Sequence, residues 1–133
     1  MSQESTEDLV RAAYESLNRE KGGSTEELWH ADGEFINARE DPDHAIHHGV
    51  GAIRAQVEAW FDAFPDLRAE PMEIRANGDR AFVWTRLSGH GADSGIAMDM
   101  ELAEVWTLEG GRIRRIEEYS DRAEALEAVG LSE

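Results

Sequence analysis

The sequence predicts an α+β fold, with helices on one face of a curved, mainly antiparallel sheet. Three observations predict it. Apolar residues recur at helical spacing in the first half of the chain, behind Ser, Thr and acidic residues that suit helix starts. The second half holds longer strand-like runs joined at Asn77-Gly78-Asp79 and Glu109-Gly110-Gly111, residues that favour tight hairpin turns. Helices clustered early and antiparallel strands clustered late mark an α+β arrangement rather than a doubly wound parallel sheet.

Each element has a local reason. Ser5-Thr6-Glu7-Asp8 opens a first helix, in which Leu9, Ala13 and Leu17 share a face beside Val10 and Tyr14, and which ends near Lys21-Gly22-Gly23. Ser24-Thr25-Glu26-Glu27 opens a short second helix carrying Leu28 and Trp29. Asp32-Gly33 reads as a turn into a first strand over 34–38, and residues 39–49, with Pro42 and three histidines, read as a polar loop. From Val50 to Phe64, the residues Ile53, Val57, Trp60, Phe61 and Phe64 form one wide apolar stripe, stopped by Pro65. Strands follow over 67–76, 81–89, 96–108 and 112–120. Asp121 caps a last helix with Glu124 at its third position, and Gly130-Leu131 ends it as a Schellman motif. The predicted order is α-α-β-α-β-β-β-β-α, in one domain over residues 1–133, without internal repeats or a linker.

Composition removes several function classes. A chain of 133 residues suits one domain. It has no cysteine, which excludes thiol catalysis, iron–sulfur clusters and thiolate zinc sites. Thirteen basic residues against 29 acidic ones give a formal charge of −16. That argues against nucleic acid and against an anionic membrane surface as partners, since both need basic surface. The first residues lack the basic-then-apolar pattern of a signal peptide, and no apolar run approaches a membrane span. A soluble, cytoplasmic protein is expected. Arginine outnumbers lysine 12 to 1, as a GC-rich coding bias would produce.

The order of motifs resembles the nuclear-transport-factor-2-like superfamily and, within it, the SnoaL-like, polyketide-cyclase-like branch. The resemblance rests on Ala12-Ala13-Tyr14-Glu15-Ser16-Leu17-Asn18, on Trp29-His30-Ala31-Asp32-Gly33-Glu34-Phe35, on Gly49-Val50-Gly51-Ala52-Ile53-Arg54 and on Phe64-Pro65-Asp66-Leu67. Gly78-Asp79-Arg80-Ala81, Gly110-Gly111-Arg112-Ile113 and the terminal Ala125-Leu126 and Gly130-Leu131 continue it. It implies a cone-shaped fold around an apolar pocket. Ketosteroid isomerases, polyketide cyclases, epoxide hydrolases, dehydratases and non-catalytic binders share that fold, so the fold does not choose among them. The chain departs from the ketosteroid isomerases: Ala38 stands where their general-base aspartate would be. Tyr14 is one residue out of register with their oxyanion tyrosine, which turns it by about 100° on a helix. Steroid isomerisation by that mechanism is not expected.

Two acids are the candidate catalytic residues. In strand 96–108, Met98, Met100, Leu102, Trp106 and Leu108 share a face by the period of two, and Glu104 sits among them. A carboxyl group in an apolar stripe must be paired or protonated, so its pKa is expected to rise. The resemblance places Glu104 where ketosteroid isomerases carry an oxyanion-stabilising acid. The alternative is a solvated strip or a subunit interface in which a salt bridge satisfies it. Glu118 falls where SnoaL-like cyclases carry a catalytic aspartate, and Tyr119 and Asp121 after it resemble the epoxide-hydrolase branch. Alternation puts Arg114, Ile116 and Glu118 on one face, and counting from Gly110-Gly111 sets Glu104 roughly opposite Glu118. Arg114 is then expected to hold the two acids, unless the pair belongs to a charge ladder on the outside of the sheet.

Histidine is a weaker signal. His44, His47 and His48 match no zinc-ligand spacing, so no metal and no cofactor are expected. His48, just before Gly49 at the expected pocket rim, is the third candidate catalytic residue, an orienting group for the acids, and His90, at a strand end, is a weaker candidate for the same role. The expected pocket lining is Trp60, Met98, Met100, Leu102 and Trp106, with Arg114 and His90. The expected function is cofactor-free acid–base catalysis (cyclisation, isomerisation or epoxide hydrolysis) on a small apolar ligand, polycyclic compounds included. The other reading is a non-catalytic ligand-binding or dimeric accessory protein. A homodimer is expected through an outer sheet face bearing Phe82, Trp84 or Val105.

Overall fold

The computed structural model describes residues 2–133. Four helices, α1 (Gln3–Glu20), α2 (Thr25–Leu28), α3 (Val50–Ala63) and α4 (Arg122–Ala128), accompany six strands, β1 (Trp29–Ile36), β2 (Ile46–His48), β3 (Arg68–Asn77), β4 (Arg80–His90), β5 (Ala97–Glu109) and β6 (Arg112–Tyr119). The sheet order is β2-β1-β6-β5-β4-β3. Only the β1–β6 pair is parallel. The fold is the α+β one expected, a curved and mainly antiparallel sheet with helices.

The differences from the sequence reading are local. α1 starts at Gln3 rather than Ser5, because the Ser2 hydroxyl accepts the Ser5 N–H and caps the helix earlier. Trp29 is the first residue of β1 rather than the last of α2. The segment around Asp32-Gly33 is not a turn before the strand but an irregularity within it, between the pairs Trp29–Ile113 and Glu34–Arg115. Ile46–His48, expected as loop, forms a short edge strand on β1.

The core lies between the sheet and α1 and α3. Val10, Ala13 and Tyr14 from α1 and Ile53 from α3 pack with Val83, Trp106, Leu108, Ile113 and Ile116. α1 is tied to the sheet at two places. Thr6 donates to the Gly78 carbonyl at 2.6 Å, and the Asn18 amide both donates to and accepts from the Ala69 backbone.

α4 lies on the opposite face and corrects the expected dimer patch. Phe82 and Val105 are buried within the chain, against Ala125, Leu126 and Val129. Trp84 is half-buried there, and the Arg122 guanidinium lies over the Phe82 and Trp84 rings, 4.9 and 5.6 Å from their centroids. The last helix therefore covers the apolar surface assigned above to a second subunit. It is held at both ends: Asp121 accepts from Ala123 and Glu124 N–H, and Leu131 and Gly130 N–H close the Schellman motif onto Leu126 and Glu127. Asp121→Ala is expected to lower the unfolding free energy by about 1 kcal/mol, with Asp121→Asn close to wild type, as the N-cap scale requires; urea unfolding checks both.

Candidate functional site

The sheet and the helices over it enclose a cavity of about 660 Å³, in the range of small-molecule sites. Trp60, Met98, Met100, Leu102 and Trp106 line it, together with Tyr14, Trp29, Phe35 and Phe64. Met100 is 47% exposed and Met98 is half-buried, whereas Trp106 and Ile113 are buried, so the methionines mark the open side. The aromatic walls are ordered by contact: Tyr14 stacks on Trp106 at 5.6 Å and Phe35 meets Trp60 edge-on at 5.4 Å.

Both candidate acids line this cavity, and they are cross-strand partners. A β-bulge brings this about. From the Gly110-Gly111 turn, Glu109 pairs with Arg112 and Leu108 with Ile113; the next pair is Thr107 with Arg115, which leaves Arg114 as the extra residue of β6. Both glycines of the turn have positive φ, 60° and 78°, which a two-residue turn of this hand requires. Without the extra residue Glu104 would face Glu117. With it, Glu118 is the partner, and Ile113, Ile116 and Glu118 all face inward. The simple alternation expected above, with Arg114 on the face of Ile116 and Glu118, fails for this reason.

Glu104 is 8% exposed. Its Oε1 accepts the Tyr14 hydroxyl and, at 2.9 Å, the Trp106 indole N–H; its Oε2 has no hydrogen-bond partner among the described residues. Burial pushes its pKa up, and the two donated hydrogen bonds offset part of that rise. Burial, with the Glu104 charge beside it, holds the Tyr14 hydroxyl protonated far above its ordinary range. Glu118 accepts the Asn37 amide and the Ala38 N–H at Oε1, both at 3.4 Å. Burial first, and the neighbouring Glu104 charge second, push its pKa up to about 7.

A polar chain that begins at the cavity wall supports Glu118. Asn37 donates to Gln56 Oε1 at 3.1 Å, and its own oxygen is 3.0 Å from His47 Nε2. Gln56 Nε2 is buried without a partner. Tyr14, Asn37 and Gln56 are the site residues that the sequence reading missed or misplaced. Tyr14 was expected to turn away, yet it stands on the buried stripe of α1 with Val10 and Ala13; the i, i+4 spacing from Val10 was the available signal. Asn37 and Gln56 carry no spacing signal that sets them apart from surface amides.

Three expected site residues lie elsewhere. Arg114, turned out by the bulge, donates to the Asp32 carbonyl at 2.6 Å and pairs with Glu34 and Glu109. His48 is exposed on β2, opposite Glu34. His90 is exposed and bonded to Asp66, at 2.7 Å from both its ring and its backbone N–H. None of the three lines the cavity. His44 and His47 each contact Asn37 rather than converging on a common point. Among the described residues no group of three His, Asp or Glu side chains is placed to hold a metal ion, and no helix is long and apolar enough to cross a membrane.

Residues 10–116 match the model of the SnoaL-like domain. Solved structures repeat the fold. A candidate polyketide cyclase from Sinorhizobium meliloti is 28% identical, over 84% of this chain and 93% of that one, with a TM-score of 0.67. A nuclear-transport-factor-2-like protein of unknown function from Burkholderia pseudomallei is 21% identical over 97% and 98%, with a TM-score of 0.75. A candidate SnoaL-like polyketide cyclase from Jannaschia is 18% identical over 96% and 92%, with a TM-score of 0.71. No curated protein matches the chain.

The raised pKa of Glu118 has a stability consequence of definite sign. Unfolded, the group ionises near its ordinary 4.5; folded, its pKa is pushed up to about 7. Between the two the unfolded chain holds fewer protons, so stability present at low pH is lost as pH rises toward about 7 and then levels off. Relative to wild type, Glu118→Gln is expected to gain about 1–3 kcal/mol in urea unfolding between roughly pH 5 and pH 7.5. A constant difference across that window overturns the assignment.

Proposed function

Since the chain belongs to the SnoaL-like domain family, we propose that it is a small-molecule enzyme of the cyclase or isomerase type, working by general acid–base catalysis on an apolar, ring-bearing substrate in the cytoplasm. One observation carries this reading: two carboxyl groups, Glu104 and Glu118, face each other on the wall of an open apolar cavity.

Their surroundings divide the work. Glu118, with its pKa pushed up to about 7, exchanges protons readily at neutral pH, the condition under which one group both accepts and donates them well. The Asn37 and Ala38 donors occupy its Oε1, which leaves Oε2 for substrate. Glu104 is fixed by Tyr14 and Trp106. In its protonated form it donates a hydrogen bond to an oxygen that gains charge during the reaction, as preorganised donors in a dry site do. An epoxide oxygen opened by water would use the same pair. Arg114, His48 and His90, which stand outside the cavity, have no part in this scheme.

The test is proton exchange at carbon. Incubated in D₂O with a bicyclic ketone such as 2-tetralone, the protein is expected to speed deuterium uptake beside the carbonyl, followed by NMR. Glu118→Gln is expected to cost about 100-fold or more in that rate, the usual worth of a general base, with the fold intact. If tryptophan fluorescence reports ketone binding while exchange stays at the buffer rate, the protein is a non-catalytic binder. A homodimer remains part of the proposal, over the strip of outer sheet face that α4 leaves open. A monomeric mass by light scattering at micromolar concentration removes that part and leaves the cavity chemistry unaffected.

A further inference from the structure

We infer that the ligand of this cavity carries a positively charged nitrogen: an apolar, ring-bearing amine rather than a carboxylate or other organic anion. The inference rests on the small-molecule reading above and adds the charge of the ligand. It starts from an inventory. Glu40, Asp41, Glu101, Glu104 and Glu118 line the cavity, and among the described residues no lysine, arginine or histidine does. Arg39, which shares a small cleft with Glu118, is exposed and pairs with neither acid.

Buried carboxylates are ordinarily paired with a cation or kept protonated, because isolated charge in low dielectric is costly. Here the chain supplies no counter-cation. Glu104 is 8% exposed and lines the cavity, and both donors it receives go to Oε1, leaving Oε2 unpartnered. Gln56 Nε2 is the one buried, unpartnered side-chain atom among the described residues, so Glu104 Oε2 is an accessible acceptor, on a residue that lines a ligand-sized space. An ammonium group there forms a charge-assisted hydrogen bond with ionised Glu104; for such a ligand Glu104 holds the nitrogen in place of donating to an oxygen, and Glu118 carries the proton transfer. A ligand carboxylate would bring a further negative group to an acidic wall. The rings of Tyr14, Trp60 and Trp106 also line the space, and aromatic faces attract cations. The net charge of −16 favours the approach of cations over anions.

Three probes of similar shape separate the possibilities: 1-naphthylmethylamine, 1-naphthalenemethanol and 1-naphthoate, each titrated into the full chain by calorimetry at neutral pH. The amine is expected to bind at least about tenfold more tightly than the alcohol, as one hydrogen bond to a charged group implies, and the naphthoate to give no measurable binding. Glu104→Gln and Glu118→Gln are each expected to reduce the ratio of amine to alcohol affinity, because the charged partner of the ammonium is lost. The wild-type comparison stands even if a variant fails to fold. Naphthoate binding as tight as the amine, or equal binding of amine and alcohol, overturns the inference but leaves the small-molecule pocket standing. An amine preference that survives both substitutions also overturns it, since diffuse attraction to an acidic protein would then explain the preference. Binding of none of the three overturns both.

Discussion

The molecule is organised around one costly group, the buried carboxyl of Glu104. It sits on a strand between the inward, apolar Leu102 and Trp106, and it draws its donors from two elements. The Tyr14 hydroxyl comes from α1 and the Trp106 indole from β5 itself. Leaving a buried charged acceptor without donors costs several kcal/mol, so α1 must dock with Tyr14 in place. The same packing stacks Tyr14 on Trp106 and closes that side of the cavity. Thr6 and Asn18 then anchor the helix at either side of Tyr14. The requirement of a single acid thus sets the position of a whole helix.

The second acid depends on one extra residue. A bulge shifts register by one, and in a sheet that exchanges inward for outward side chains. Arg114 is that extra residue. Its insertion selects Glu118 over Glu117 as the partner of Glu104, and it sends its own guanidinium to Asp32, Glu34 and Glu109 on the rim of the sheet. One backbone irregularity therefore creates the facing acids and withholds the group that would neutralise them.

Much of this was legible in the sequence, and the reasons differ by residue. Regular periodicity exposed the strands, the long helix and the inward position of Glu104, because burial on one face writes alternation into the chain. The glycine pair at 110–111 fixed the hairpin and so the neighbourhood of Glu118. The bulge was not legible, since an added residue leaves no mark in composition; this is why Arg114 was placed with the acids. Tyr14 was misplaced for a different reason. Its one-residue offset from the ketosteroid-isomerase tyrosine points away from the site, whereas its position one turn beyond Val10 sets it on the buried stripe of α1. α4 was recognised from Asp121 and Gly130-Leu131, but local signals say where a helix starts and stops and not which face of a sheet it covers. Asn37 and Gln56 act only through contacts made in three dimensions.

The methionines at the open side give the cavity a gradient of rigidity. Trp106, Tyr14 and the carboxyl of Glu104 hold one another by stacking and hydrogen bonds, so that end accepts little change of shape. Met98, half-buried, and Met100, exposed, are unbranched and adjust to irregular surfaces at small cost. Recognition is thus split along the length of the pocket, with a strict end that reads chemistry and a pliant end that reads only bulk. Mutational drift at the pliant end can widen the range of molecules admitted while the reacting groups stay as they are, a division that lets one scaffold be retuned for new ligands without rebuilding its chemistry.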